Sequence, residues 1–142
     1  MDLKLNEGVV VGRMVKKLML LFTSLVSVAA YGNQQFPNMP TAAEMATLPE
    51  YCRARIGPDG KLYEQWLKRM GHDKFIHVHH YCHGLVAMNR VSLVFDKRTR
   101  RDLLQKATQE FDYVIRNWPP DFYLTIDAKR RHSMAQLMLT GL

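Results

Sequence analysis

The stretch KRTRRDLLQKATQEFDYVIRNW, Lys97 to Trp118, constrains the fold more than any other part of the chain. Leu103, Leu104, Ala107, Phe111, Val114, Ile115 and Trp118 recur at spacings of three and four, with Arg, Lys, Gln and Asp opposite. That is the apolar stripe of an amphipathic helix. Pro119-Pro120 ends it, because proline has no N–H to donate and its ring clashes with the preceding turn. At ~1.5 Å per residue the helix is roughly 33 Å long, about the width of a small domain. Whatever packs on it must lie alongside it. No stretch alternates with period two for long enough to make a strand.

The other segments fit the same frame. Thr41-Ala42-Ala43-Glu44 has the form of a capping box opening a short helical turn. Thr47-Leu48-Pro49 offers a second start, for a helix carrying Tyr51, Cys52 and Ile56 that stops at Gly57-Pro58-Asp59-Gly60. Leu62 to Met70 reads as a helix anchored by Trp66 and Leu67 and capped by Gly71. Asp73 caps the next, which the periodicity runs to about Phe95, with Phe75, His79, Cys82, Val86, Asn89 and Leu93 on one face. Asp121 to Leu142 reads as a final helix with Ile126, Met134, Leu137 and Met138 on its core side. Short connections place successive helices antiparallel. The expected fold class is all-α, stacked antiparallel helical hairpins.

The N-terminus speaks to compartment. Met14-Val15-Lys16-Lys17 is positive, and LMLLFTSLVSVAA, Leu18 to Ala30, is apolar for 13 residues. That length suits a signal-peptide core and is short for a membrane span. Small residues at Ala30 and Gly32 suit cleavage. The reading is a signal peptide over 1–32, with Met14 as an alternative start, an extended leader over 33–48 and a helical domain over 49–142. The expected location is periplasmic or secreted, with no stable membrane span after cleavage. In an oxidising compartment the two cysteines, Cys52 and Cys82, are expected to pair and so staple neighbouring helices.

Lys and Arg outnumber Asp and Glu by 20 to 13. RTRR at Arg98 to Arg101 and KRR at Lys129 to Arg131 are the tight basic clusters. The excess favours weak contact with anionic surfaces, and no specific nucleic-acid recognition motif accompanies it.

FIHVHHYCHG, Phe75 to Gly84, holds four of the six histidines. On one helix at ~100° per residue, His79, Cys82 and His83 share a face, while His77 and His80 turn toward solvent. Three readings follow. HHYCH lacks the first cysteine of a haem c attachment site. His79 and His83, at i and i+4, could ligate a zinc or copper ion with Cys82 or Cys52. The reading adopted is structural: Cys82 pairs with Cys52, His79 bonds a backbone carbonyl or side chain, and His77, His80 and His83 line an exposed or groove-facing surface. Tyr81 and Asn89 then join an inter-helix polar network, with Asn89-Arg90 meeting Glu110 or Asp112. No cofactor is expected. No G-x-S-x-G, glycine-rich phosphate loop or catalytic carboxylate pair occurs, so no enzymatic activity is expected.

Ala107, Phe111 and Pro119 stand at the offsets of the second helix of a tetratricopeptide repeat. With PEYC…W…G…HHYCHGL…NR and EFDYVIRNWPPDF, the region from Pro49 to Gly141 resembles exported bacterial tetratricopeptide-type proteins. The resemblance implies a scaffold of helical hairpins that binds another protein. Tyr113, Trp118 and Phe122 are candidate anchors for that partner on the concave side; core is the other reading of these rings, and it is the one favoured for Trp118. Solenoids of this kind need about three repeats, and this chain offers about one and a half. The apolar end, Leu137 to Leu142, is therefore expected to belong to a truncated product or to pack on a partner or on a second copy.

Overall fold

The computed structural model describes residues 38–142, which belong to the compact unit Gln34–Leu142. The signal-peptide and start-site readings fall outside the described residues. The elements are α1 (Ala42–Thr47), α2 (Glu50–Ile56), α3 (Gly60–Met70), α4 (His72–Phe75), α5 (Val78–Val91), α6 (Lys97–Asn117) and α7 (Tyr123–Thr140). Among the described residues there is no strand, as the all-α reading requires.

The caps follow the local sequence. Thr41 and Glu44 close a reciprocal capping box on α1, so helix begins inside the segment expected as an extended leader. Pro49 stands at the N-cap of α2, and Asp59 accepts from the Lys61 and Leu62 amides at the start of α3. Gly71 ends α3 with φ +80°, a conformation that a β-carbon would strain.

The periodicity from Asp73 to Phe95 does not make one helix. It breaks at Ile76-His77 because the Ile76 carbonyl is captured by side chains. His79 Nδ1–H donates to it at 2.8 Å and Arg55 Nη2 at 3.2 Å. The His80 amide, which an unbroken helix would direct to Ile76, bonds the His77 carbonyl instead. At the other end Ser92 Oγ donates to the Asn89 carbonyl and α5 stops at Val91. Asn89 and Leu93 are consequently exposed rather than on the core face.

α5 and α6 form a long antiparallel hairpin, and α7 returns antiparallel along α6. The termini show the directions. Trp118, at the end of α6, donates its Nε1–H to the Lys74 carbonyl just before α5, at 2.9 Å. Lys97, at the start of α6, donates to the Leu142 carbonyl after α7, at 3.2 Å. The α5–α6 seam is tight at Gly84, where a β-carbon would lie 2.6 Å from the Phe111 ring. Leu104, Ala107, Phe111 and Val114 are fully buried there. The Cys52–Cys82 disulfide joins α2 to α5, with the α-carbons 5.5 Å apart. That pairing was the expected one, and it fits an oxidising compartment.

Arg90 does not meet Glu110 or Asp112. Its guanidinium reaches Glu44 of α1 in a two-pronged pair, Nε to Oε1 at 2.5 Å and Nη2 to Oε2 at 2.9 Å. This pair ties α1 to α5 and lowers the Glu44 pKa to about 2. The pair spans 46 positions of sequence, which no local spacing predicts.

Candidate functional site

The histidines are absorbed into the seam between α5 and α6. His80 Nδ1 meets Glu110 Oε2 at 2.7 Å, and its ring lies 3.7 Å from that of Tyr113, 33° from parallel. The Tyr113 hydroxyl meets His77 Nδ1 at 3.2 Å. His77 and His80 thus face α6 rather than solvent. α6 covers that side of the turn and of α5. His79 bonds a backbone carbonyl, as expected of a partly buried imidazole. Its ring stacks against His80 at 4.1 Å and meets His83 edge-on at 6.3 Å. Burial is the leading cause that holds His77, His79 and His83 below the ordinary imidazole range, and neighbouring His80 adds to it in each.

Cys82 is joined to Cys52, so its sulfur carries no thiolate for a metal or a haem thioether. His79 and His83 remain as a pair. Among the described residues, no group of three or more His, Cys, Asp or Glu is placed to hold a metal ion.

The three aromatic anchors separate. Trp118 is buried in the core, its indole N–H tied to Lys74. Tyr113 is half-buried against the histidines. Phe122 is half-buried against Trp118, 5.2 Å between ring centres, with the Lys74 ammonium 5.7 Å from its own.

The surface that stands out is on α7. This helix turns its small residues inward: Ala128 and Ala135 are fully buried, with Leu124 and Thr125 beside them. Thr125 Oγ1 donates to the Pro119 carbonyl, which ties the first turn to the loop. Ile126, Met134 and Leu137, expected on the core side, are 59%, 50% and 73% exposed, and Tyr123 is 55% exposed. At ~100° per residue these four and Arg130 fall within about 80° of one another. The stripe runs roughly 21 Å along the helix. The sequence grouped Ile126, Met134 and Leu137 correctly and assigned them the wrong side. The alanines, spaced seven apart on the opposite face, were the signal for close approach to α6.

Asp127 fixes this helix against α5. The buried Tyr81 hydroxyl donates to its carboxylate, and Arg130 and Arg131 each pair with it at 2.5 Å. Burial alone would raise the Asp127 pKa, but Tyr81, Arg131 and Arg130 outweigh it and hold the carboxyl low. The guanidinium of Arg130 is thereby set in the middle of the apolar stripe, with Lys129 exposed next to it in sequence. The result is an apolar strip with a guanidinium, paired to Asp127, at its centre.

Among the described residues no helix is long and apolar enough to cross a membrane. No protein-family model, curated protein or solved structure matches this chain.

Proposed function

We propose that the protein is an exported, tetratricopeptide-like helical scaffold that binds another protein through the outer face of α7, without catalysis of its own. The occupant we assign to that face is an acidic amphipathic helix. Its apolar residues would cover Tyr123, Ile126, Met134 and Leu137, and its carboxylates would meet Arg130 and Lys129. The observation that carries this reading is the outward apolar stripe on a helix whose inner face is already filled. A second copy fits less well, because antiparallel pairing of two α7 helices brings both Arg130 groups together near the centre. The disulfide supports the exported part of the reading.

The test is titration with a soluble peptide helix bearing leucines at spacings of three and four and flanked by glutamates, followed by backbone amide NMR. Shifts are expected over residues 123–137, and are expected to vanish in a Met134→Ser, Leu137→Ser double variant. A lysine-flanked version of the peptide is expected to give none. Shifts centred elsewhere, or self-association through this face at the same concentration, would overturn the reading.

A further inference from the structure

The tip of the α5–α6 hairpin breaks two rules of stability at once. Val94 turns into the core there, and the residues on either side of it turn out. Leu93 is 61% exposed, and Phe95, at 91%, is the most exposed large apolar side chain among the described residues. Immediately afterwards α6 begins with Lys97, Arg98, Arg100 and Arg101, and its first turn contains no acidic residue. A helix N-terminus carries the positive end of the macrodipole, so cations there oppose folding. Asp96 caps this end, its Oδ2 accepting from the Thr99 amide and hydroxyl, each at 2.7 Å, so a single carboxylate offsets part of that charge. Lys97, Arg98 and Arg101 are exposed, Lys97 also holding the Leu142 carbonyl, while Arg100 is half-buried. Apolar groups held in water and charge placed against the dipole are features expected where a surface serves a partner rather than the fold.

We propose that this tip is a peripheral membrane contact: Leu93 and Phe95 enter the acyl boundary of an anionic bilayer while Lys97, Arg98 and Arg101 meet its phosphates. The pattern is the one that binds interfaces, apolar side chains flanked by cations. A convex tip with one aromatic ring lacks the groove and the row of stacking platforms that single-stranded nucleic acid needs. The contact is an insertion of side chains, not a span. It uses none of the residues of the α7 stripe, so the two readings stand or fall separately.

The experiment uses the full chain with Phe95→Trp and vesicles of phosphatidylglycerol and phosphatidylcholine whose acyl chains are brominated near the headgroup. The tryptophan emission is expected to be quenched beyond that of the unsubstituted protein, and the extra quenching to disappear with phosphatidylcholine alone or in high salt. Phe95→Ala is expected to weaken partitioning about tenfold. Each of Arg98→Gln and Arg101→Gln is expected to weaken it about fivefold. These side chains are exposed, so no substitution is expected to lower the melting temperature, and Met134→Ser is expected to bind vesicles like the unsubstituted protein. Absence of extra quenching, or quenching indifferent to lipid charge, overturns the proposal. So does Phe95-dependent binding of an RNA oligonucleotide or an acidic peptide without binding of vesicles.

Discussion

α6 and α7 are neighbouring helices that use their apolar residues in opposite ways. α6 points Leu104, Phe111 and Val114 inward and leaves its outer face to charged groups. α7 meets α6 with Ala128 and Ala135 and leaves Ile126, Met134 and Leu137 outside. The difference teaches that an apolar stripe reports a face to be covered, not what covers it. On α6 the cover is the rest of the chain. On α7 a second, smaller face has taken that place, and the larger stripe remains open.

The contrast gives a graded set of expectations, which thermal or denaturant unfolding checks. Phe111→Ala is expected to have the largest effect, a loss of about 3–5 kcal/mol, because the ring is fully buried at the tightest point of the seam. A loss below about 1 kcal/mol would mean that the α5–α6 seam is no better packed than the outer side of α7. Replacing both cysteines by serine is expected to cost about 2–4 kcal/mol, since the bond closes a loop of 30 residues. Gly84→Ala is expected to cost about 1–3 kcal/mol through overpacking against Phe111.

Acid should separate the two regions in a smaller, resolvable way. His77, His79 and His83 titrate below their ordinary value of 6.5 in the folded protein. The unfolded chain therefore binds more protons, and the stability present above that value is lost as pH falls through the folded ones. The groups acting on these rings include Asp73, Arg55, His80, Lys106, Glu110 and Arg90. Asp127 is held below its ordinary 3.8, so its contribution is complete above that value and lost only below it. Amide exchange across a pH series is expected to loosen the histidine side of the α5–α6 seam first and the anchoring of α7 later. Simultaneous loosening would count against the assignment of the two networks to separate steps.

The smallest expected effect falls on the outside of α7. Met134→Ser and Leu137→Ser are each expected to change the stability of the isolated chain by no more than about 0.5 kcal/mol. A loss of several kcal/mol would show that this face is covered within the chain and would remove the basis of the docking reading.

Much of this was legible without coordinates. The Thr41–Glu44 box, the turn at Gly57-Pro58, the Gly71 cap and the stop at Pro119-Pro120 all depend on a few adjacent residues. The core stripe of α6 and the pairing of the only two cysteines were legible for the same kind of reason. The break at Ile76-His77 was not, because Arg55, from another helix, helps to capture the carbonyl that the continuing helix would need. The Tyr81–Asp127 and Arg90–Glu44 bonds each join positions 46 apart, and nothing in either neighbourhood announces the other.

The sequence by itself determined most helix boundaries, though not the break at Ile76-His77 or the stop at Val91, and it determined that the long helices are amphipathic and that the chain has one pair of thiols to join. Those properties follow from backbone sterics, local hydrogen bonding and residue spacing. Only the tertiary structure decided which face of each helix is inside. It placed the histidines against Tyr113 and Glu110, and it turned the alanines of α7 toward α6. The physical reason is that close helix packing rewards fit as well as hydrophobicity. A narrow face of small residues can win the inner position and leave the larger apolar stripe exposed.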